Sequence, residues 1–196
     1  RDIEDLTSEV PDSAKKDRVD LRNTALVTID GEDARDFDDA VYCKKTPKGW
    51  KLLVAIADVS HYVSPGNAVD SEAHNRSTSV YFPERVIPML PEILSNGVCS
   101  VGTFPVAFKT SAYITYDEAG QIVSRRFANS LIRSNARLTY LQAHGILKGH
   151  TKEAKPEVVD LLGKMETLSR RIEKRRRDNG MLHLDLPEPE LVFDEA

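Results

Sequence analysis

Between Asp30 and Asp39 the chain packs five aspartates and one glutamate into ten residues, directly after the apolar segment Ala25-Leu26-Val27-Thr28-Ile29. Carboxylates a few ångströms apart repel and raise one another's pKa values, so a neutral-pH site that keeps several of them ionised usually holds a divalent cation. Asp30 ends the strand-like segment, and Asp36 and Asp38 are two apart, so an extended backbone turns those two to one face. The run contains no His or Cys, and oxygen-only donors favour Mg²⁺ or Mn²⁺ over zinc. A helix-loop-helix calcium site fails on spacing. Counted from Asp30, the sixth position is Arg35 where glycine is needed, and the twelfth is Val41 where glutamate is needed. The plain alternative is a solvated acidic turn, common in a chain that is 30% charged. Phe37 and the apolar strands on either side weigh against it, because a solvated turn has no need to be pinned between buried segments.

At 196 residues and 40% hydrophobic the chain is long enough for one core. No apolar run approaches the roughly 20 residues needed to cross a bilayer, and Arg1-Asp2-Ile3-Glu4-Asp5 is not the start of a secretion signal. The expectation is a cytoplasmic protein with no membrane partner. Cys43 and Cys99 lie far apart without metal-ligand spacing and read as reduced structural thiols. The net charge of −4 hides a basic stretch, residues 121–180, with 14 Lys/Arg against 6 Asp/Glu. Lysine and arginine there could hold phosphate, although a basic helix face is often simply solvated.

Residues 1–20 are charged and read as a linker or lead-in, with the folded part over 21–196. Strand signals follow at 25–29, 40–44 and 52–57, the last two joined by the turn-like Thr46-Pro47-Lys48-Gly49. A short helix is expected over 70–76, an irregular proline-punctuated connection over 83–91, and a helical turn over 92–95. A second hairpin pairs 112–116 with 122–132 through Asp117-Glu118-Ala119-Gly120. Helices are expected over 139–147 and 157–177, the longer with an apolar stripe of Val158, Leu161, Leu162, Met165, Leu168 and Ile172.

Several segments in order resemble one family. They are Val27 to Asp30 and Asp36 to Val41, then Val54-Ala55-Ile56-Ala57-Asp58-Val59-Ser60, then Tyr81-Phe82-Pro83 with Ile87-Pro88-Met89-Leu90-Pro91. Arg133 to Tyr140 and Leu182 to Pro187 extend the likeness. Together they are similar to the catalytic RNB domain of the ribonuclease R and ribonuclease II exoribonucleases. The resemblance implies an α+β fold, a mixed or antiparallel sheet with packed helices, of which this chain matches the N-terminal part. It implies Mg²⁺-dependent hydrolysis of single-stranded RNA, processive from the 3′ end, to nucleoside 5′-monophosphates. It further implies a monomer working in a longer chain with oligonucleotide-binding barrels.

Carried over by motif position, Asp30, Asp36, Asp38 and Asp39 match the family's magnesium ligands and catalytic carboxylates, with Asp38 the most rate-critical. Tyr81 matches an aromatic that packs on a nucleotide near the reactive end, and Tyr140 a tyrosine near the same site; core packing is the bland alternative for either. Arg133 and Arg137 are candidates for phosphate contact, or exposed strand-end charges. Asp58 reads as a supporting or capping residue, and His61 has no partner at zinc spacing. After Ser100 the chain departs from the family, whose Asp-Arg pair is replaced by the uncharged run Val101 to Phe108. The glutamate and arginine that complete the family's site have no counterpart here, so activity is expected to require the second half of the domain. The alternative reading is a non-catalytic RNA-binding or interaction fragment.

Overall fold

Alternating side-chain character along the chain builds a sheet, and its topology makes that sheet curl. A computed structural model describes residues 16–32, 34, 37–82, 85–94, 107–184 and 186–187. The strands are β1 (Val19–Asp20), β2 (Leu26–Asp30), β3 (Asp39–Thr46), β4 (Gly49–Ala57), β5 (Val80–Tyr81), β6 (Val86–Ile87), β7 (Ala107–Tyr116), β8 (Ile122–Ile132) and β9 (Ser134–Thr139). The helices are α1 (Ala68–Arg76), α2 (Tyr140–Leu147) and α3 (Pro156–Asp178).

Seven strands form one sheet in the order β1-β8-β7-β4-β3-β2-β9, parallel at β1/β8 and β2/β9 and antiparallel elsewhere. Only Arg133 separates β8 from β9, yet five inter-strand spacings of about 4.8 Å each lie between them in that order. One residue cannot bridge a flat sheet of that width, so the sheet curls to bring the end of β8 round to the start of β9. The result is the mixed α+β fold expected from the sequence.

The period of two sorts side chains between the two sides of the curled sheet. Leu26, Ala40, Leu53, Ala55, Ala107 and Ile132 pack together with Phe37 on one side. Val27, Cys43, Trp50 and Tyr116 face the other, where α2 and α3 cover them. Proline at the first position starts α3 without losing an intrahelical bond, and Val158, Leu161, Leu162 and Leu168 form its buried stripe with Met165 and Ile172 alongside. Truncating Leu161 to alanine there costs about 2–5 kcal/mol, the transfer term plus the cavity. At the β3/β4 turn Gly49 has φ +137°, and a Cβ would fall on the Tyr116 carbonyl oxygen, so no other residue fits.

The elements differ from the sequence reading in three places. Val19–Asp20 is a strand in the sheet and Arg18 beside it is buried, so the last residues of the expected lead-in belong to the fold; residues 1–15 lie outside the described residues. Within the connection expected to be irregular, Val86–Ile87 pairs with Val80–Tyr81 as a small hairpin. The third is β9, whose polar Ser134-Asn135-Ala136-Arg137 lacks a clean alternation and is held by its pairing to β2. Cys43 is a free thiol that burial pushes up to about 11, which makes it inert, while Cys99 lies outside the described residues. No described helix is long and apolar enough to cross a membrane.

Candidate active site

The acidic turn joins β2 to β3 at one end of the curled sheet. The pair is antiparallel with Val27 opposite Val41, and Asp30 and Asp38 both lie on the turn side of that pair. On its other side Asp30 pairs with Thr139, the last residue of β9. Thr139 is also the N-cap of α2: its Oγ1 accepts from Gln142 N at 3.1 Å while Gln142 Oε1 accepts from Thr139 N at 2.9 Å. This reciprocal cap fixes the change from strand to helix, so Tyr140 begins α2 directly beside the Asp30 strand end. Tyr140 is 64% exposed, which excludes core packing for it.

Asp38 and Asp39 are exposed at the start of β3, where the Asp38 carbonyl accepts from Ala57 N at 2.7 Å. Phe37, between them and the rest of the turn, is buried. The Arg137 guanidinium lies 3.7 Å from the centre of the Phe37 ring and donates to the Ala34 carbonyl at 3.2 Å. Arg137 is thus drawn onto the turn from β9. Asp36 lies outside the described residues, and among the described ones no group of three or more His, Cys, Asp or Glu side chains converges as a metal cluster. In donor chemistry the turn still suits a hard cation: Asp30, Asp38 and Asp39 offer carboxylate oxygen alone, from two neighbouring strand ends.

The other predicted residues lie on other parts of the fold. Arg133 precedes β9 by its whole length, about 20 Å of strand from Thr139, and its charge helps hold the Asp20 carboxyl down, behind the larger effect of Arg22. Tyr81 is 73% exposed on the β5/β6 hairpin, with Val80, Phe82 and Val86 exposed around it, so core packing is excluded there too. Of the basic stretch, Arg137 reaches the acidic turn, whereas much of the α3 portion is engaged elsewhere. In α3, Lys164, Arg170, Lys174 and Arg177 pair with carboxylates one turn away, and Arg171 meets Glu118 at the β7/β8 turn. Glu118 also pairs with Lys45, which lies at the opposite end of β3 from Asp39.

Two buried cations were not legible as site residues. Lys109, the first charged residue after the uncharged run, is fully buried on β7 and donates to the carbonyls of Asp38 at 2.9 Å and Phe37 at 3.3 Å. Ala107 and Phe108, the end of that run, are buried beside it, and residues 101–106 lie outside the described residues. Arg18 reaches Asp58 Oδ2 at 2.6 Å with both side chains buried, and its guanidinium lies 4.0 Å from the Phe108 ring centre. Burial opposes the Asp58 charge, but hydrogen bonds from Arg18 and Ser60 outweigh it and hold the carboxyl below its ordinary range. Asp58 is therefore a supporting ion-pair residue at the end of β4.

Comparison with known proteins is consistent across sequence and structure. The RNB domain family model matches residues 18–196. Ribonuclease R of Escherichia coli (strain K12) is 46% identical over 192 residues, covering 96% of this chain and 24% of the relative. Mycoplasma genitalium RNase R in complex with double-stranded RNA superposes with a TM-score of 0.90 at 35% identity, over 98% of this chain and 34% of that one. The same protein in complex with ribose methylated single-stranded RNA also gives a TM-score of 0.90 at 35% identity, over 98% of this chain and 30% of that one. The chain spans about a quarter of the length of the curated relatives it matches.

Proposed function

The chain belongs to the RNB domain family of exoribonucleases, and from that premise we propose that it carries the acidic part of a 3′-to-5′ exoribonuclease site. The substrate is single-stranded RNA, shortened processively to nucleoside 5′-monophosphates. Asp30, Asp38 and Asp39, with Asp36, would hold Mg²⁺ or Mn²⁺. A divalent cation there neutralises charge on the reacting phosphate and makes water a stronger nucleophile. The observation that carries the reading is the meeting of β2, β3 and β9 at one end of the sheet, which brings Asp30, Asp38 and Tyr140 to adjoining strand and helix ends.

Around that end each residue has a distinct task. Tyr140, exposed beside Asp30, and Tyr81, exposed on its hairpin, offer ring faces to bases, and stacking suits an enzyme that must tolerate every sequence. Arg137 steadies the turn through Phe37 and Ala34, and its charge adds to phosphate attraction. The Arg18–Asp58 pair ties β1 to the end of β4, which backs the turn through Ala57. The intact enzyme would add oligonucleotide-binding barrels and the second half of the domain, and would act in the cytoplasm as a monomer.

The test uses the full-length protein and single-stranded RNA labelled at its 5′ end. The expected result is shortening from the 3′ end with released 5′-monophosphates, abolished by EDTA and restored by Mg²⁺. Internal cuts, or activity indifferent to chelation, would overturn the proposal.

A further inference from the structure

Lysine in a strand normally runs its stem along the surface and leaves its ammonium in water. Lys109 does not: it is fully buried, in register with Ala57 of β4, on the same side of β7 as Ala107 and Ser111. Ala57 and Ala55 are small, which leaves space for the stem to pass beneath the end of β4 toward the turn beyond it. Its backbone is also held, since Ser130 Oγ donates to the Lys109 carbonyl at 3.2 Å and lies 2.6 Å from Ser111 Oγ. A buried ammonium is costly unless acceptors meet it. Two of the acceptors that meet it are consecutive carbonyls, Phe37 and Asp38, and the second also takes Ala57 N.

We propose that Lys109 is a positioning residue for the acidic turn. By gripping the Phe37 and Asp38 carbonyls from inside the sheet, it fixes the peptide that aims Asp38 and Asp39 outward, so that the turn is set to receive a divalent cation before one arrives. The inference rests on the reading of this turn as a cation site. A simple charge effect makes the opposite prediction. Removing a nearby positive charge should tighten cation binding, whereas removing a grip on the backbone that carries the ligands should weaken it.

The experiment measures Mn²⁺ binding to the full-length protein by the loss of the free-ion electron paramagnetic resonance signal. Three proteins are compared: unaltered protein, Lys109→Met and Lys109→Arg, each checked for folding by circular dichroism. Lys109→Met is expected to weaken Mn²⁺ binding by about ten- to a hundredfold, while Lys109→Arg, which keeps a donor to both carbonyls, recovers most of the loss. Unchanged or tighter binding by Lys109→Met, or no recovery by Lys109→Arg, overturns the inference. If the unaltered protein binds no Mn²⁺ at all, the reading of the turn as a cation site fails instead. Should Lys109→Met not fold, the unaltered protein decides by nuclear magnetic resonance. A protected Lys109 ammonium signal that shifts with the Phe37 and Asp38 carbonyls on adding Mg²⁺ supports the inference. An ammonium signal that is absent or indifferent to Mg²⁺ overturns it.

Discussion

Arg137 and Phe37 join the parallel edge strand to the acidic turn: the guanidinium on β9 stacks 3.7 Å from the centre of a buried ring two residues before Asp39. The same guanidinium donates to Ala34, so one side chain clamps the turn at two points. Arg137→Ala removes a cation–π contact on a buried ring and is expected to cost about 1 kcal/mol of stability, read by urea unfolding. Amide exchange across residues 37–39 should quicken while that of β4 stays slow. If exchange in the turn were unaltered, the clamp would be a contact without consequence.

Asp38 follows that clamped ring, with its carbonyl held by Ala57 and Lys109 and its side chain exposed. Substitution by asparagine keeps the shape and removes the charge. In the full-length enzyme Asp38→Asn should therefore leave RNA affinity nearly intact and lower turnover by several decades, each about 1.4 kcal/mol of barrier. Single-turnover cleavage of poly(A) separates the two effects, and near-normal cleavage would remove Asp38 from the reacting centre.

The sequence made the acidic turn, both long hairpins and the stripe of α3 legible, because each rests on local signals: charge crowding, alternation by two, and apolar recurrence at three and four. Phe37 was readable as the pin for the same reason, an apolar residue isolated among carboxylates. What stayed hidden depends on contacts across the chain. β9 is polar and short, and is a strand because β2, about a hundred residues earlier, offers it a free edge. Lys109 reads as a surface lysine until its strand is known to pair with the end of β4 and its ammonium to reach the Phe37 and Asp38 carbonyls. Arg18 reads as part of a charged lead-in until Asp58 and Phe108 are seen around it. The basic stretch could be read either as a phosphate surface or as a solvated helix face, and much of its α3 portion is spent on pairs within the helix and on the far turn.

Tyr81 stands 73% exposed on a two-stranded hairpin whose backbone is closed by Phe82 N to Arg85 O at 2.8 Å. An exposed ring on a paired strand is suited to hold a base, a contact worth about 1–3 kcal/mol. Short RNA, with few other contacts, should feel its loss most. Tyr81→Ala in the full-length enzyme is expected to leave a longer limit oligonucleotide on a denaturing gel with little change on long substrates. An unchanged product ladder would mean that Tyr81 holds no base.

Asp58 and Arg18 form a buried ion pair, and the Asp58 carboxyl is held below its ordinary value of 3.8 by Arg18 and Ser60 against the cost of burial. A carboxyl with a lower pKa folded than unfolded binds fewer protons in the native state. Its contribution to stability is fully present above pH 3.8 and is lost as the pH falls through the folded value. Asp58→Asn removes that contribution and leaves the Arg18 charge buried without its partner, a change that costs about 3–5 kcal/mol. Urea unfolding followed from about pH 6 to about pH 2 should show the unaltered chain losing stability at the acid end more steeply than Asp58→Asn. Because Arg18 flanks β1 and Asp58 flanks the turn-bearing end of β4, the variant should also loosen the Ala57 to Asp38 bond and speed amide exchange at Ala57. Parallel pH profiles for the two proteins would show that the pair contributes nothing through the Asp58 charge.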